Sequence, residues 1–292
     1  MISWIILTIL AAIILAASYI IDKFVLIKQK PIVIAIFSTL VFLVGPIFIF
    51  LIKGVPKISL IAAVFSMLTG FFSFITIYFY CKAVQEGEVS RIVPLISTSV
   101  IFTLILSTIF LKEIFSFWKY IGIGLIFCGS ILISSNKKTK LIFDKGFFLA
   151  IITAIFSGIT SVLIKYSLNL ADYWAVFSYQ RIGAFLLVMP FIFIMRKELI
   201  KFVKNKKKAM LVSLSVLISL FAMFLITIAI SIGFVSLVTS LISIQDLFLL
   251  LFTFILGIFF PKILNEEINA KIVIVKTIAI VTLLFGVILI TT

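Results

Sequence analysis

The chain alternates long apolar runs with short polar breaks. Ten such runs can be marked: 2–21, 31–52, 58–80, 89–111, 118–134, 147–167, 174–195, 210–231, 234–257 and 272–291. An α-helix needs about 20 apolar residues to cross the hydrocarbon core of a bilayer, so each run predicts one transmembrane helix. Most connections are so short that neighbouring helices must run antiparallel. The eighth and ninth runs join with almost no loop, at Ile232–Gly233. The first run has no basic stretch before it and is longer than the apolar part of a signal peptide, so it reads as a retained helix. Gly45–Pro46, Pro94 and Pro190 interrupt three runs. A proline is tolerated in lipid where a neighbouring helix or water satisfies the freed carbonyl. Such kinks serve packing or flank a solute path.

An internal repeat organises these runs. Gly87-Glu-Val-Ser-Arg-Ile-Val-Pro-Leu-Ile-Ser97 aligns with Gly233-Phe-Val-Ser-Leu-Val-Thr-Ser-Leu-Ile-Ser243, with six of eleven positions identical. Ile121–Ser134 aligns with Ile278–Thr291 with six more identities, Gly129/Gly286 among them. Lys119 and Lys276 each precede that glycine by ten residues, and Lys23 finds a counterpart in Lys165. The expected division is 1–136 and 144–292, two units of five helices each. Five is odd, so the second unit enters the membrane from the opposite side. Inverted repeats of this kind place a solute site near the midplane between the halves. The fold class expected is all-α: a polytopic membrane protein of ten transmembrane helices in two inverted five-helix repeats.

Composition removes the soluble alternatives. Hydrophobic residues make up 64% and charged residues 12% of the 292 positions, against about 25% charged in soluble domains. The net charge of +15 does not point to nucleic acid, because Lys and Arg sit in short loops and form no basic face with interleaved aromatics. Odd-numbered loops carry 18 of them and even-numbered loops 5. The positive-inside rule then puts odd loops in the cytoplasm and both termini outside. Arg196–Lys208 and Lys137–Lys145 contribute most and read as solvated, orienting loops. Histidine is absent, which excludes histidine metal sites, bases and proton relays. Cys81 and Cys128 have neither metal-site nor disulfide spacing and read as small buried hydrophobes. No metal or cofactor is expected. No G-x-x-x-x-G-K-[ST] loop occurs, so the chain itself is no ATP-driven pump.

Polar side chains inside the runs are the candidate site, since a charge at a helix centre costs about 2.5–3.5 kcal/mol on insertion scales and usually serves function. Asp246 lies mid-run beside Gln245 and near Ser243. It is a solute-contact or proton-coupling carboxylate, or else the partner of Arg181 or a lysine in a packing salt bridge. Arg181, with Tyr179 and Gln180, forms a compact patch. Its guanidinium suits a substrate carboxylate or phosphate, or else pairs with Asp246. Asp22 and Lys23 end the first run and Lys165 ends the sixth. Snorkelling to the interface accounts for them, and their repeat-related placement keeps a functional role open. Ser97, Thr98 and Ser99 are the repeat partners of Ser243 to Gln245. Helix–helix hydrogen bonding and cavity lining are both open for this group. Tyr78, Tyr80 and Trp118 fit the interfacial aromatic belt.

These residues also resemble a known family. Glu88-Val-Ser-Arg-Ile-Val-Pro-Leu, Phe110-Leu-Lys-Glu113 and Gly122-Ile-Gly-Leu-Ile-Phe-Cys-Gly129 look like an EamA-type half. Val235-Ser-Leu-Val-Thr-Ser-Leu-Ile-Ser-Ile-Gln245 and Phe259-Phe-Pro-Lys-Ile-Leu-Asn-Glu-Glu267 supply the second. EamA domains belong to the drug/metabolite transporter superfamily. The resemblance implies helices 1–4 and 6–9 around a central cavity, helices 5 and 10 at the periphery, and a monomer or homodimer. Two departures stand out. The family's usual Gly-Glu after helix 4 is Lys112-Glu113 here, and many members keep both termini inside, against the charge count.

The expected function is secondary transport of a small metabolite (amino acid, nucleobase, sugar or drug-like solute) by an exporter or exchanger of the plasma (inner) membrane. Its partners are the solute, the lipid bilayer and a coupling ion, proton or sodium; exchange and facilitated diffusion stay open. A lipid-linked-sugar flippase and a membrane-embedded enzyme are the alternatives. The enzyme would need a cluster of His, Asp, Arg or Cys at one interface, and none is found.

Overall fold

The computed structural model describes residues 2–26, 29–87, 89–134, 144–259 and 270–291. Glu88, most of the 137–145 basic run and the 260–269 segment of the second-half motif lie outside the described residues. The described chain is built from helices, and no strand occurs among the described residues. In order they are α1 (Ile2–Val25), α2 (Pro31–Phe42), α3 (Val44–Lys53), α4 (Leu60–Glu86), α5 (Val89–Ile96), α6 (Ser99–Leu111), α7 (Phe117–Ser134), α8 (Lys145–Leu168), α9 (Tyr173–Ile194), α10 (Arg196–Lys204), α11 (Lys206–Ile232), α12 (Val235–Ile242), α13 (Gln245–Phe259) and α14 (Ala270–Thr291).

Eight stretches are long and apolar enough to cross a membrane: Trp4–Asp22, Pro31–Lys53, Leu60–Glu86, Val89–Leu111, Lys145–Leu168, Tyr173–Ile194, Lys206–Ile232 and Val235–Leu256. The expected fifth and tenth spans appear among the described residues as shorter apolar helices, Phe117–Ile133 and Ile278–Thr291. The outer faces are apolar to a degree that water does not tolerate: Leu51 and Leu60 are 80% and 81% exposed. Such surface belongs against lipid tails, and the protein is an integral, multi-pass membrane protein.

Three expected spans are broken rather than continuous. The second divides at Leu43, just before Pro46, which has no N–H to return to the preceding turn. The fourth breaks at Ser97–Thr98, three residues after Pro94. There Thr98 N–H bonds to Leu95 O and Val100 N–H to Ser97 O, the tightened turns of a helix end. The ninth breaks at Ser243–Ile244 in the same manner, with Ser243 N–H on Ser240 O and Ile244 N–H on Leu241 O, although no proline stands there. The two breaks face each other across the molecule, with Ser97 Oγ 2.9 Å from Asp246 Oδ1.

The expected solvated loop at Arg196–Lys208 is instead ordered as the amphipathic helix α10 and the start of α11. Its Leu199 and Phe202 are buried, and Phe202 meets Phe37 of α2 edge-on. The near-absent loop between α11 and α12 is held from both sides by charge. Lys165 Nζ donates to Ile230 O at 2.9 Å and Gly233 O at 2.8 Å, the carbonyl end of α11. Glu113 accepts from Val235 N–H at 2.9 Å, Ser236 N–H at 3.2 Å and Ser236 Oγ at 2.6 Å, the amide end of α12. A cation on a helix C-terminus and an anion on an N-terminus both oppose the helix dipole favourably. Lys112, just before this glutamate, has φ of 56°, the left-handed conformation in which the related family's glycine is at ease.

The helices pair closely as α1 with α11, α4 with α8 and with α9, and α7 with α14. Glycines make the tightest crossings. A Cβ on Gly70 would lie 2.0 Å from Gln180 O, and one on Gly183 2.3 Å from Met67 O, so α4 and α9 touch backbone to backbone. In the α7–α14 crossing, Gly129 faces Ala279 and Gly286 faces Gly122.

Gly183→Ala should therefore cost at least the ~1–3 kcal/mol typical of overpacking, read as a lower melting temperature in detergent. Gly124, with open space around it, should accept alanine with no change. Glu113→Gln keeps the shape but removes a charged acceptor from two amides and a hydroxyl. It should cost about 1–3 kcal/mol, measured as a fall in Tm, and faster hydrogen exchange at Val235 and Ser236 should localise the damage.

Candidate functional site

A cavity of about 260 Å³ lies inside the bundle, lined by residues of α1, α2, α4, α5, α6, α8, α9, α11, α12 and α13. Small-molecule sites typically enclose about 300–1,000 Å³, so this space suits a compact solute. Its wall mixes aliphatic side chains with hydroxyls. Several hydroxyls are already satisfied by their own helix: Thr76 on Phe72 O, Thr153 on Leu149 O, Thr160 on Phe156 O and Thr227 on Met223 O. This is back-bonding to the preceding turn, whereas in the Ser97–Ser99 and Ser243–Gln245 group the expected helix–helix bonding does occur, between Ser97 and Asp246. The exceptions mark the site.

The first exception is Asp22, the last residue of the apolar stretch of α1 and three residues before the helix ends at Val25. It lines the cavity. Its Oδ2 accepts from Tyr80 of α4 at 2.8 Å and its Oδ1 from Ser215 of α11 at 2.6 Å. Among the described residues no cation meets this carboxyl. Tyr80, expected in the aromatic belt, instead points inward to Asp22, and its ring lies 5.8 Å from that of Tyr19. The side chain of Lys23 lies outside the described residues.

The second exception is Arg181 on α9, which lines the cavity and is 3% exposed. Its guanidinium stacks over Phe42 at 4.7 Å and Phe177 at 4.9 Å, and donates weakly to Met223 S at 3.2 Å. Nε has no partner. The packing salt bridge with Asp246 weighed in the sequence is not formed: no ion pair joins these two among the described residues. Neighbouring Gln180 also lines the cavity and donates to Ser73 Oγ at 2.9 Å. Tyr179 is turned away and donates to Pro56 O at 3.3 Å, tying α9 to the loop after α3.

The third is the meeting of the two helix breaks. Ser97, Ser99, Ser243 and Gln245 line the cavity. Asp246 does not; it lies one layer behind, fully buried in the first turn of α13. Ser97 bridges it to the cavity, donating to Asp246 Oδ1 and accepting from Gln245 Nε2 at 3.4 Å. Asp246 Oδ2 and Gln245 Oε1 are buried without partners. The helix N-terminus offsets part of the cost of a carboxyl there.

The structure thus gathers Asp22, Arg181, Gln180, Ser97, Ser99, Ser243 and Gln245 around one space, places Asp246 behind it, and assigns Tyr179 and Lys165 to structural contacts. Sequence reading missed Tyr80, Ser215, Met223 and Phe42 on the wall, Phe177 behind Arg181, and Glu113 at the helix end. Ser215 and Met223 are eight residues apart on one helix, with Ser219 between them. That polar stripe at helical spacing was the available signal.

Residues 2–135 match the model of the EamA-like transporter family. No curated protein matches. One solved crystal structure of a protein, 14% identical, superposes with a TM-score of 0.69 over 99% of this chain and 98% of its own, which speaks to the fold alone. The family match therefore holds for residues 2–135, an EamA-like unit that makes up just under half of the chain.

Proposed function

We propose that the chain is a secondary transporter of the drug/metabolite transporter superfamily, moving a small metabolite across the plasma membrane by alternating access. The observation that carries this reading is the cavity walled by Asp22, partly buried, and Arg181, buried, two charges with no ionic partner among the described residues. Buried charge without compensation is costly, and a bound solute supplies it.

The two halves, 1–136 and 144–292, act as inverted five-helix repeats in this reading, α7 and α14 serving as the fifth and tenth helices. Several contacts support it. Exchanging α1 with α8 and α4 with α11 turns the α1–α11 pair into the α8–α4 pair, and both pairs are present. The same exchange turns the Gly129–Ala279 approach into Gly286–Gly122, again both present. The helix breaks fall at the repeat-matched Ser97 and Ser243. One asymmetry favours a single state of the cycle. α4 and α9 meet backbone to backbone at Gly70 and Gly183, whereas Gly45, on the matching side, meets only the side chains of Phe177 and Leu220. The tight crossing lies toward the even-numbered loops, and Asp22 toward the odd-numbered ones. Inverted copies that trade these packings would open the cavity alternately to each side.

Asp246 suits the coupling ion, proton or sodium. Its Oδ2 makes no close hydrogen bond, with the Ser130 hydroxyl beside the carboxyl, and its Oδ1 reaches the cavity through Ser97, so its charge state is linked to the helix breaks. Reconstituted protein should take up members of a pooled set of radiolabelled metabolites. In Asp246→Asn, gradient-driven accumulation should fall to that of empty vesicles while counterflow exchange persists; unchanged accumulation would remove Asp246 from coupling. For orientation, single cysteines at positions 201–206 in a chain with Cys81 and Cys128 replaced should resist impermeant thiol reagents in intact cells. Labelling from outside would reverse the topology.

A further inference from the structure

The two unpaired charges also constrain what the solute looks like. They enter the same cavity from different helices, Asp22 from α1 and Arg181 from α9, and both lean on α11. Asp22 is held by Ser215 and Arg181 by Met223. Eight residues of helix separate these anchors, about 12 Å at 1.5 Å per residue. Ser219, midway, lines the same stripe. Nothing ionic lies between the two charges among the described residues. The carboxyl is met only by neutral hydroxyls, and the guanidinium by two aromatic faces and a thioether, with Nε left over.

Resting on the transporter reading of this cavity, we propose that its solute is a zwitterion with separated charges: an anionic carboxylate-like group on Arg181 and an ammonium on Asp22, joined by a short apolar or hydroxyl-tolerant body. A hydrogen bond of about 3 Å at each end leaves roughly 6 Å between the solute's own charges. An α-amino acid, with both charges on one carbon, is too short to engage both ends at once. Guanidinium geometry suits a planar carboxylate, and its Phe42–Phe177 seat holds the charge where hydration is replaced by ring faces. A solute of net zero charge also enters without adding to the charge already inside.

The test uses purified full-length protein in detergent and four probes of similar size: δ-aminovalerate with both charges, valerate with the anion only, pentylamine with the cation only, and norvaline with both charges on one carbon. Equilibrium dialysis should find δ-aminovalerate bound at least about tenfold more tightly than the other three, the worth of one charged hydrogen bond. Arg181→Gln should reduce δ-aminovalerate to the level of pentylamine and leave pentylamine unchanged. Asp22→Asn should reduce it to the level of valerate and leave valerate unchanged. The unchanged single-charge probe shows that each variant is folded. Equal binding of all four probes, binding of none, or joint loss of both single-charge probes in either variant overturns the assignment. Transport is read separately in proteoliposomes. Uptake of uncharged metabolites with no binding of these probes overturns the solute class and leaves the transporter standing. Charge-dependent binding without any exchange leaves the site standing and overturns transport.

Discussion

In hydrocarbon a polar group has no water to fall back on, and this chain is arranged around that constraint. A continuous helix satisfies its own backbone. This chain breaks the apolar stretches Val89–Leu111 and Val235–Leu256 within their length, so carbonyls and amides are released where lipid offers nothing, and it joins α11 to α12 through only two residues. The partners come from elsewhere in the sequence. Lys165 of α8 closes the end of α11, and Glu113, after α6, closes the start of α12. Ser97 at one break serves Asp246 at the other. Each of these contacts joins segments far apart in sequence, so the broken helices hold only while those segments stay together. A rearrangement that moves one half against the other must exchange such contacts rather than loosen them, which is how a packed interior comes to have two discrete arrangements.

Much of the fold was legible because the bilayer imposes length. Apolar runs near 20 residues identify spans whatever their internal sequence, and eight met that measure directly. The breaks were less legible. Pro94 announces the first, because a proline cannot return its hydrogen bond. The second has no such residue, and only its alignment with the first pointed there. The basic stretch at Arg196–Lys204 was read by charge as a loop, while Leu199 and Phe202, three apart on one helical face, already carried the signal of an amphipathic helix.

The site was legible by rarity more than by motif. Asp22, Arg181 and Asp246 stand out because charge is expensive inside a membrane, and all three lie in or against the central space, Arg181 and Asp246 buried. Their partners were not legible. Tyr80 looks like any interfacial tyrosine in one dimension, and only the α1–α4 approach turns its hydroxyl onto Asp22. The pairing of Arg181 with Asp246 was attractive as charge arithmetic, but helix directions decide contacts, and these send one to Phe42 and Phe177 and the other to Ser97. Lys165 had the opposite fate: a residue that could have faced a solute has both its described hydrogen bonds in backbone carbonyls.

That difference between Lys165 and Arg181 separates charges whose hydrogen bonds are made from charges left without an ionic partner among the described residues. Lys165 and Glu113 terminate helices, and their hydrogen bonds are made. Arg181 and Asp22 terminate nothing. Their contacts are rings, hydroxyls and a sulfur, enough to position a charge and too little to neutralise it. Replacing such a pair with apolar side chains would ordinarily stabilise a packed core. A fold that instead holds two opposite charges against residues of one helix about 12 Å apart along its axis, with a hydroxyl between those residues and space in front, gives up stability at the place where a bound molecule can restore it.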